Sequence, residues 1–148
     1  MADLKLTQSE ADRIIKMLKI SLEERIKFPS KGKHEEFKVE GEKKDDIFTI
    51  HIRRGNIDGN KYSIHAKISK NNIGLLRLDI GKNLRHRNPN NEIIKGDHWH
   101  IYDEKYDLHK AYPAHDIQDS NFVNETINFL DKFSVIEKPR IIYQMQIE

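Results

Sequence analysis

With 148 residues, 36% hydrophobic and 34% charged, the chain is long enough for one domain with a real core, and its patterned apolar residues exclude a disordered chain. It contains no cysteine, which excludes disulfides and thiolate metal sites and leads to the expectation of a reducing, cytoplasmic setting. The net charge of +2 divides unevenly: between Thr49 and Arg87, nine Lys or Arg stand against Asp58 and Asp79, a local charge of +7. The 17 cations and 22 acids elsewhere leave −5, a distribution that suits a local anionic partner. No stretch approaches the ~20 apolar residues of a membrane span, and Met1 to Lys5 has no signal-peptide apolar run. A single domain over 1–148 is expected.

Thr7-Gln8-Ser9-Glu10 has the form of a capping box. Behind it Ala11, Ile14, Ile15, Leu18, Leu22 and Ile26 recur at helical spacing up to Pro29, with Lys16, Lys19 and Glu23 opposite. This predicts one long amphipathic helix. Phe37 and Val39 then alternate with Glu36, Lys38 and Glu40 in a short strand. In the next strand Phe48, Ile50 and Ile52 oppose Thr49, His51 and Arg53. After a turn over 55–60, Tyr62, Ile64, Ala66 and Ile68 oppose Ser63, His65 and Lys67. For both apolar sets to share a face, the intervening loop must be odd in length, with a bulge expected.

Gly74 to Ile80 alternates again, Leu76, Leu78 and Ile80 against Leu75, Arg77 and Asp79. Gly81 to Asn91 reads as a basic loop holding Lys82, Arg85, His86 and Arg87. The strand after it, Gly96-Asp97-His98-Trp99-His100-Ile101-Tyr102, sends His98, His100 and Tyr102 to one face and Trp99 and Ile101 to the other. Leu108 to Pro113 reads as a short extended piece. A second helix is expected from about Asp119 or Ser120, with Phe122, Val123, Ile127, Leu130 and Phe133 as its stripe, and a last strand from Pro139.

The resulting fold is α+β: a mostly antiparallel sheet of five to seven strands with two amphipathic helices packed on one face. If the apolar sets meet those helices, the other face gathers His51, His65, His98, His100 and Tyr102 with Arg53, Lys67, Arg77 and Asp79.

Three chemistries suit such a face. Metal binding has His98-x-His100 in its favour, but there is no His-Glu-x-x-His and no acidic cluster, so neither metal nor cofactor is expected. RNA cleavage without a metal needs an acid, a base and cations, since the 2′-hydroxyl is the nucleophile. His98 and His100 supply acid and base. Arg77 and Lys67 hold phosphate and Tyr102 orients the substrate, while Lys82, Arg85, His86, Arg87, Arg53 and His65 track the backbone. The third chemistry is binding alone, to nucleic acid or to an acidic protein surface.

His86-Arg87-Asn88-Pro89, followed by Gly96 to Tyr102 and by Ala111-Tyr112-Pro113, resembles a family of small, functionally uncharacterised proteins of bacterial prophages and mobile elements, with the pattern H-x-N-P, H-x-H-x-Y, A-x-P. The resemblance implies a conflict setting and transfers no catalytic residue. The leading expectation is an RNA-directed protein of such a system, an endoribonuclease toxin partnered by RNA and by an antitoxin. The alternative is an anti-defence inhibitor of a host protein, or a nucleic-acid-binding module without catalysis.

Overall fold

A computed structural model describes residues 5–115 and 121–143. The order is α1 (Gln8–Lys16), β1 (Lys19–Ser21), β2 (Arg25–Lys27), β3 (His34–Glu40), β4 (Ile47–Arg54), β5 (Tyr62–Ile68), β6 (Gly74–Ile80), β7 (Arg85–Arg87), β8 (Ile93–Lys95), β9 (His98–Ile101), β10 (Ala111–Pro113), α2 (Phe122–Lys132), β11 (Val135–Glu137) and β12 (Arg140–Ile142). The fold is α+β, but its sheet is larger than expected. Eight strands run in the order β10-β9-β6-β5-β4-β3-β1-β11, antiparallel except for the β1–β11 pair. Two ribbons, β12–β2 and β7–β8, complete it.

The central strands form where alternation placed them. Phe48 pairs with Ile68, Ile50 with Ala66 and Ile52 with Ile64, so one apolar face runs unbroken across β4 and β5. Their connection, residues 55–61, is odd in length. The bulge lies elsewhere: on β5–β6, Lys67 pairs with Gly74 and Ala66 with Leu76, leaving Leu75 as the extra residue, fully buried.

The first helix departs from the reading of the sequence. Its capping box is present, with Thr7 Oγ1 accepting from Glu10 N–H and the Glu10 carboxylate accepting from Thr7 N–H, but α1 stops at Lys16. Beyond it β1 pairs with β3, turning Ile20 and Leu22 to the polar side, where they stay largely exposed. The same shift buries Lys19 completely. Its ammonium donates to the carbonyls of Ile14 (2.6 Å), Ile15 (3.1 Å), Met17 (2.8 Å) and Phe133 (2.8 Å), with the Phe133 ring 3.9 Å away. It thereby caps the carbonyl ends of both helices. Burial, opposed by Asp46, pushes its pKa down to about 7.

α2 begins at Phe122, where the Asn121 side chain accepts from the Val123 and Asn124 amides; the expected start at 119–120 lies outside the described residues. Phe129, Leu130 and Phe133 are its buried stripe, with Phe129 stacked 6.0 Å from Trp99. Cover for the apolar face therefore comes from α2, a short α1 and the β12–β2 ribbon carrying Ile26, rather than from two long helices. The last strand is seen as Arg140–Ile142, and its expected continuation past Tyr143 lies outside the described residues.

Candidate functional site

Register decides which polar residues meet. One transverse row holds His51, His65, Arg77 and His100; the row on one side of it holds Arg53, Ser63, Asp79 and His98, and the row on its other side holds Lys67 opposite Thr49. The alternating phase thus gathers the residues picked out in the sequence, with one exception. Past the end of β9, Tyr102 turns its hydroxyl to Leu6, accepting from its N–H (3.0 Å) and donating to its C=O (2.7 Å). It anchors the segment ahead of α1 and does not join the histidines.

The two central imidazoles are not open to solvent. His98 is 3% exposed and His100 0%. What covers them is the stretch read as a loop, which folds as the β7–β8 hairpin and lays the His86 ring 4.8 Å from that of His100 and 5.7 Å from that of His98. Gly96, at φ +79°, makes the reversal from this hairpin into β9 in a backbone region natural for glycine. Buried Asn88 holds the hairpin down: its Oδ1 accepts from Ala111 N–H (2.7 Å) and its Nδ2 donates to Ala111 C=O (2.9 Å).

Asp79 is the hub beneath. Its Oδ2 stands 3.1 Å from Arg77 Nη2, 3.2 Å from His98 Nε2 and 3.3 Å from His100 Nε2, the last pair too poorly aligned for a hydrogen bond. Burial works against the Asp79 charge, yet the His100 and His98 rings and the Arg77 guanidinium outweigh it and hold the carboxyl well below its usual range. For His98, burial is overcome by Asp79 and the Gly96 carbonyl and the pKa rises; for His100, burial prevails and it falls. Burial, with Arg77 and Lys67 beside it, pushes half-buried His65 down to about 4.

Asp79 and Arg77 also border a cavity of about 800 Å³, walled by Arg53, Lys61, Asp58 and Leu84, with Ile57 at its lip. Arg53, Lys61 and Arg77 bring three cations to it. Lys82, Arg85 and Arg87 lie exposed on and before the hairpin, while Lys67 is half-buried a row away and does not line the cavity. Lys61, Asn88 and the central part taken by Asp79 went unread in the sequence. Only the pairing of β6 with β9 brings Asp79 under the imidazoles. Among the described residues, His86, His98 and His100 form a group that could hold a metal, with one ring nitrogen from each within 4.8 Å of the others.

A family of unknown function (DUF6978) matches residues 6–135, from the lead into α1 to the start of β11. The chain belongs to this family. The match takes in the whole cavity and the hairpin that covers the histidines. No curated protein and no solved structure matches the chain.

Proposed function

We propose that this protein is an RNA-directed binding module that grips the phosphodiester backbone of a single strand between Arg53, Lys61 and Arg77. The observation that carries this reading is the cavity itself. Three cations from two strands and a loop converge on one concavity, and Arg85 and Arg87 add exposed positive charge on the hairpin that follows Leu84 in its wall. A concave site with an apolar lip at Ile57, which is 95% exposed, suits an unstacked base better than the broad surface of a duplex. The mobile-element setting rests on the resemblance of the H-x-N-P and H-x-H-x-Y stretches and forms part of the proposal.

Cleavage is the second reading, favoured by the contact of both imidazoles with a carboxylate at the cavity wall. Two facts rank it lower. His98 and His100 are too buried to touch RNA, so they would act only through Asp79. A carboxyl held below its usual range is a weak base at neutral pH.

The test is fluorescence anisotropy of a labelled 12-nucleotide single-stranded RNA across a salt series. Three backbone contacts predict a slope of about −2 in log K against log salt, from about −0.7 per phosphate neutralised. An Arg53→Ala/Lys61→Ala double variant should lose about 1.4 of that slope and bind weakly to every sequence. A slope unchanged by these substitutions removes the cavity from the interface. RNA cut by the protein with or without EDTA, and spared by His98→Ala and His100→Ala, would replace binding with catalysis.

A further inference from the structure

The three imidazoles of the covered cluster are wired alike. His98 Nδ1 lies 2.8 Å from the Gly96 carbonyl oxygen, His100 Nδ1 2.5 Å from that of Leu108, and His86 Nε2 2.6 Å from that of His109. A carbonyl oxygen only accepts, so each of these nitrogens carries a proton. In a neutral ring the second nitrogen is then a bare lone pair. For His98 and His100 that lone pair is turned toward the Asp79 carboxylate, at 3.2 and 3.3 Å. His100 Nε2 is also buried and has no hydrogen-bond partner. Lone pairs facing an anion at this spacing repel unless a cation lies between them. A second proton on His98 answers one contact and leaves that of His100 open.

We propose that His86, His98, His100 and Asp79 bind one divalent ion of the zinc type. An outer ring N–H held by a backbone carbonyl is the arrangement that orients metal-ligating histidines, and it occurs here on all three. Two ligands about 2.0–2.1 Å from a tetrahedral ion stand about 3.3 Å apart, the spacing already shown by Asp79 Oδ2 against both Nε2 atoms. One nitrogen from each of the three rings lies within 4.8 Å of the others, so ion binding would draw the rings together. The three imidazoles are the group that converges on one point, and Asp79, in contact with two of them, would complete four positions and close the site. It selects zinc over the oxygen-loving calcium and magnesium. The ion would tie β7 to β6 and β9, fixing the hairpin that walls the cavity, and it stands or falls separately from RNA binding.

The test uses tag-free protein stripped with EDTA and then exposed to Zn²⁺ alone. One zinc per chain is expected after desalting, with a melting temperature raised by about 5–10 °C at a hundredfold excess over the dissociation constant. Co²⁺ in its place should give the intense visible bands of a tetrahedral site. His86→Ala, in a half-buried ring on the hairpin, should still fold and should lose zinc retention at least tenfold, along with the thermal shift. Asp79→Asn provides a second, isosteric variant with the same expected loss. Arg53→Ala/Lys61→Ala should keep its zinc whatever its RNA affinity. Zinc below a tenth of an equivalent with no thermal shift overturns the proposal, and so does equal binding by the His86→Ala variant.

Discussion

Replacing Lys19 with methionine asks how much a buried ammonium contributes to this fold. The substitution keeps the side chain's length and leaves the carbonyls of Ile14, Ile15, Met17 and Phe133 facing an apolar group. Each charge-assisted hydrogen bond contributes about 1.5–3 kcal/mol, so three N–H groups supply about 4.5–9 kcal/mol. Against this stands the desolvation that brings the pKa from 10.5 to about 7, about 5 kcal/mol at about 1.4 kcal/mol per unit. The net loss on Lys19→Met is then about 2 kcal/mol at pH 6, the midpoint of the difference between those two figures. A chain of this size then melts about 4–8 °C lower. The pH dependence has a definite sign. Between about pH 7 and 10.5 the unfolded chain keeps the Lys19 proton while the folded chain releases it, so parent stability rises with pH. The gap between parent and variant should therefore widen by about 2 kcal/mol from pH 7 to 9. Urea unfolding at pH 6, 7 and 9 reads both quantities. A variant as stable as the parent at pH 6, with a gap that ignores pH, refutes the ammonium's role in joining the two helix ends.

Asn88→Ala removes both hydrogen bonds to Ala111 and should cost about 2–4 kcal/mol, with amide exchange in residues 85–95 accelerating before the rest of the sheet. Uniform exchange across the chain would show that the hairpin is held by something else. His65, with its folded pKa at about 4, must stay neutral while the unfolded chain protonates near 6.5. Stability should accordingly fall as pH drops from 6.5 to 4, by at most about 3 kcal/mol, and His65→Gln should flatten that part of a urea-measured profile.

The capping box at Thr7 and Glu10, the central strands and, in α2, Leu130 and Phe133 were legible because each rests on a short-range rule, whereas buried Phe129 lay outside the expected stripe and Val123 and Ile127 are only half-buried. A strand's side chains alternate whatever it pairs with, so Phe48, Ile50, Ile64 and Leu78 declared their face and the polar row opposite followed from it. The end of α1 was not legible. Leu18, Leu22 and Ile26 fit a helical stripe by spacing, and only pairing of β1 with β3 and β11 shows that Leu18 and Leu22 are exposed while Lys19 lies in the core. Composition and periodicity alone determined an α+β chain with His51, His65, His98 and His100 on one side of a sheet. Tertiary structure alone decided what those histidines face, because strand order and the fold-back of the β7–β8 hairpin are set by contacts distant in sequence, such as Asn88 with Ala111 and Asp79 with His98. No local pattern encodes such contacts, and they turn a row expected in solvent into a covered cluster beside a basic cavity.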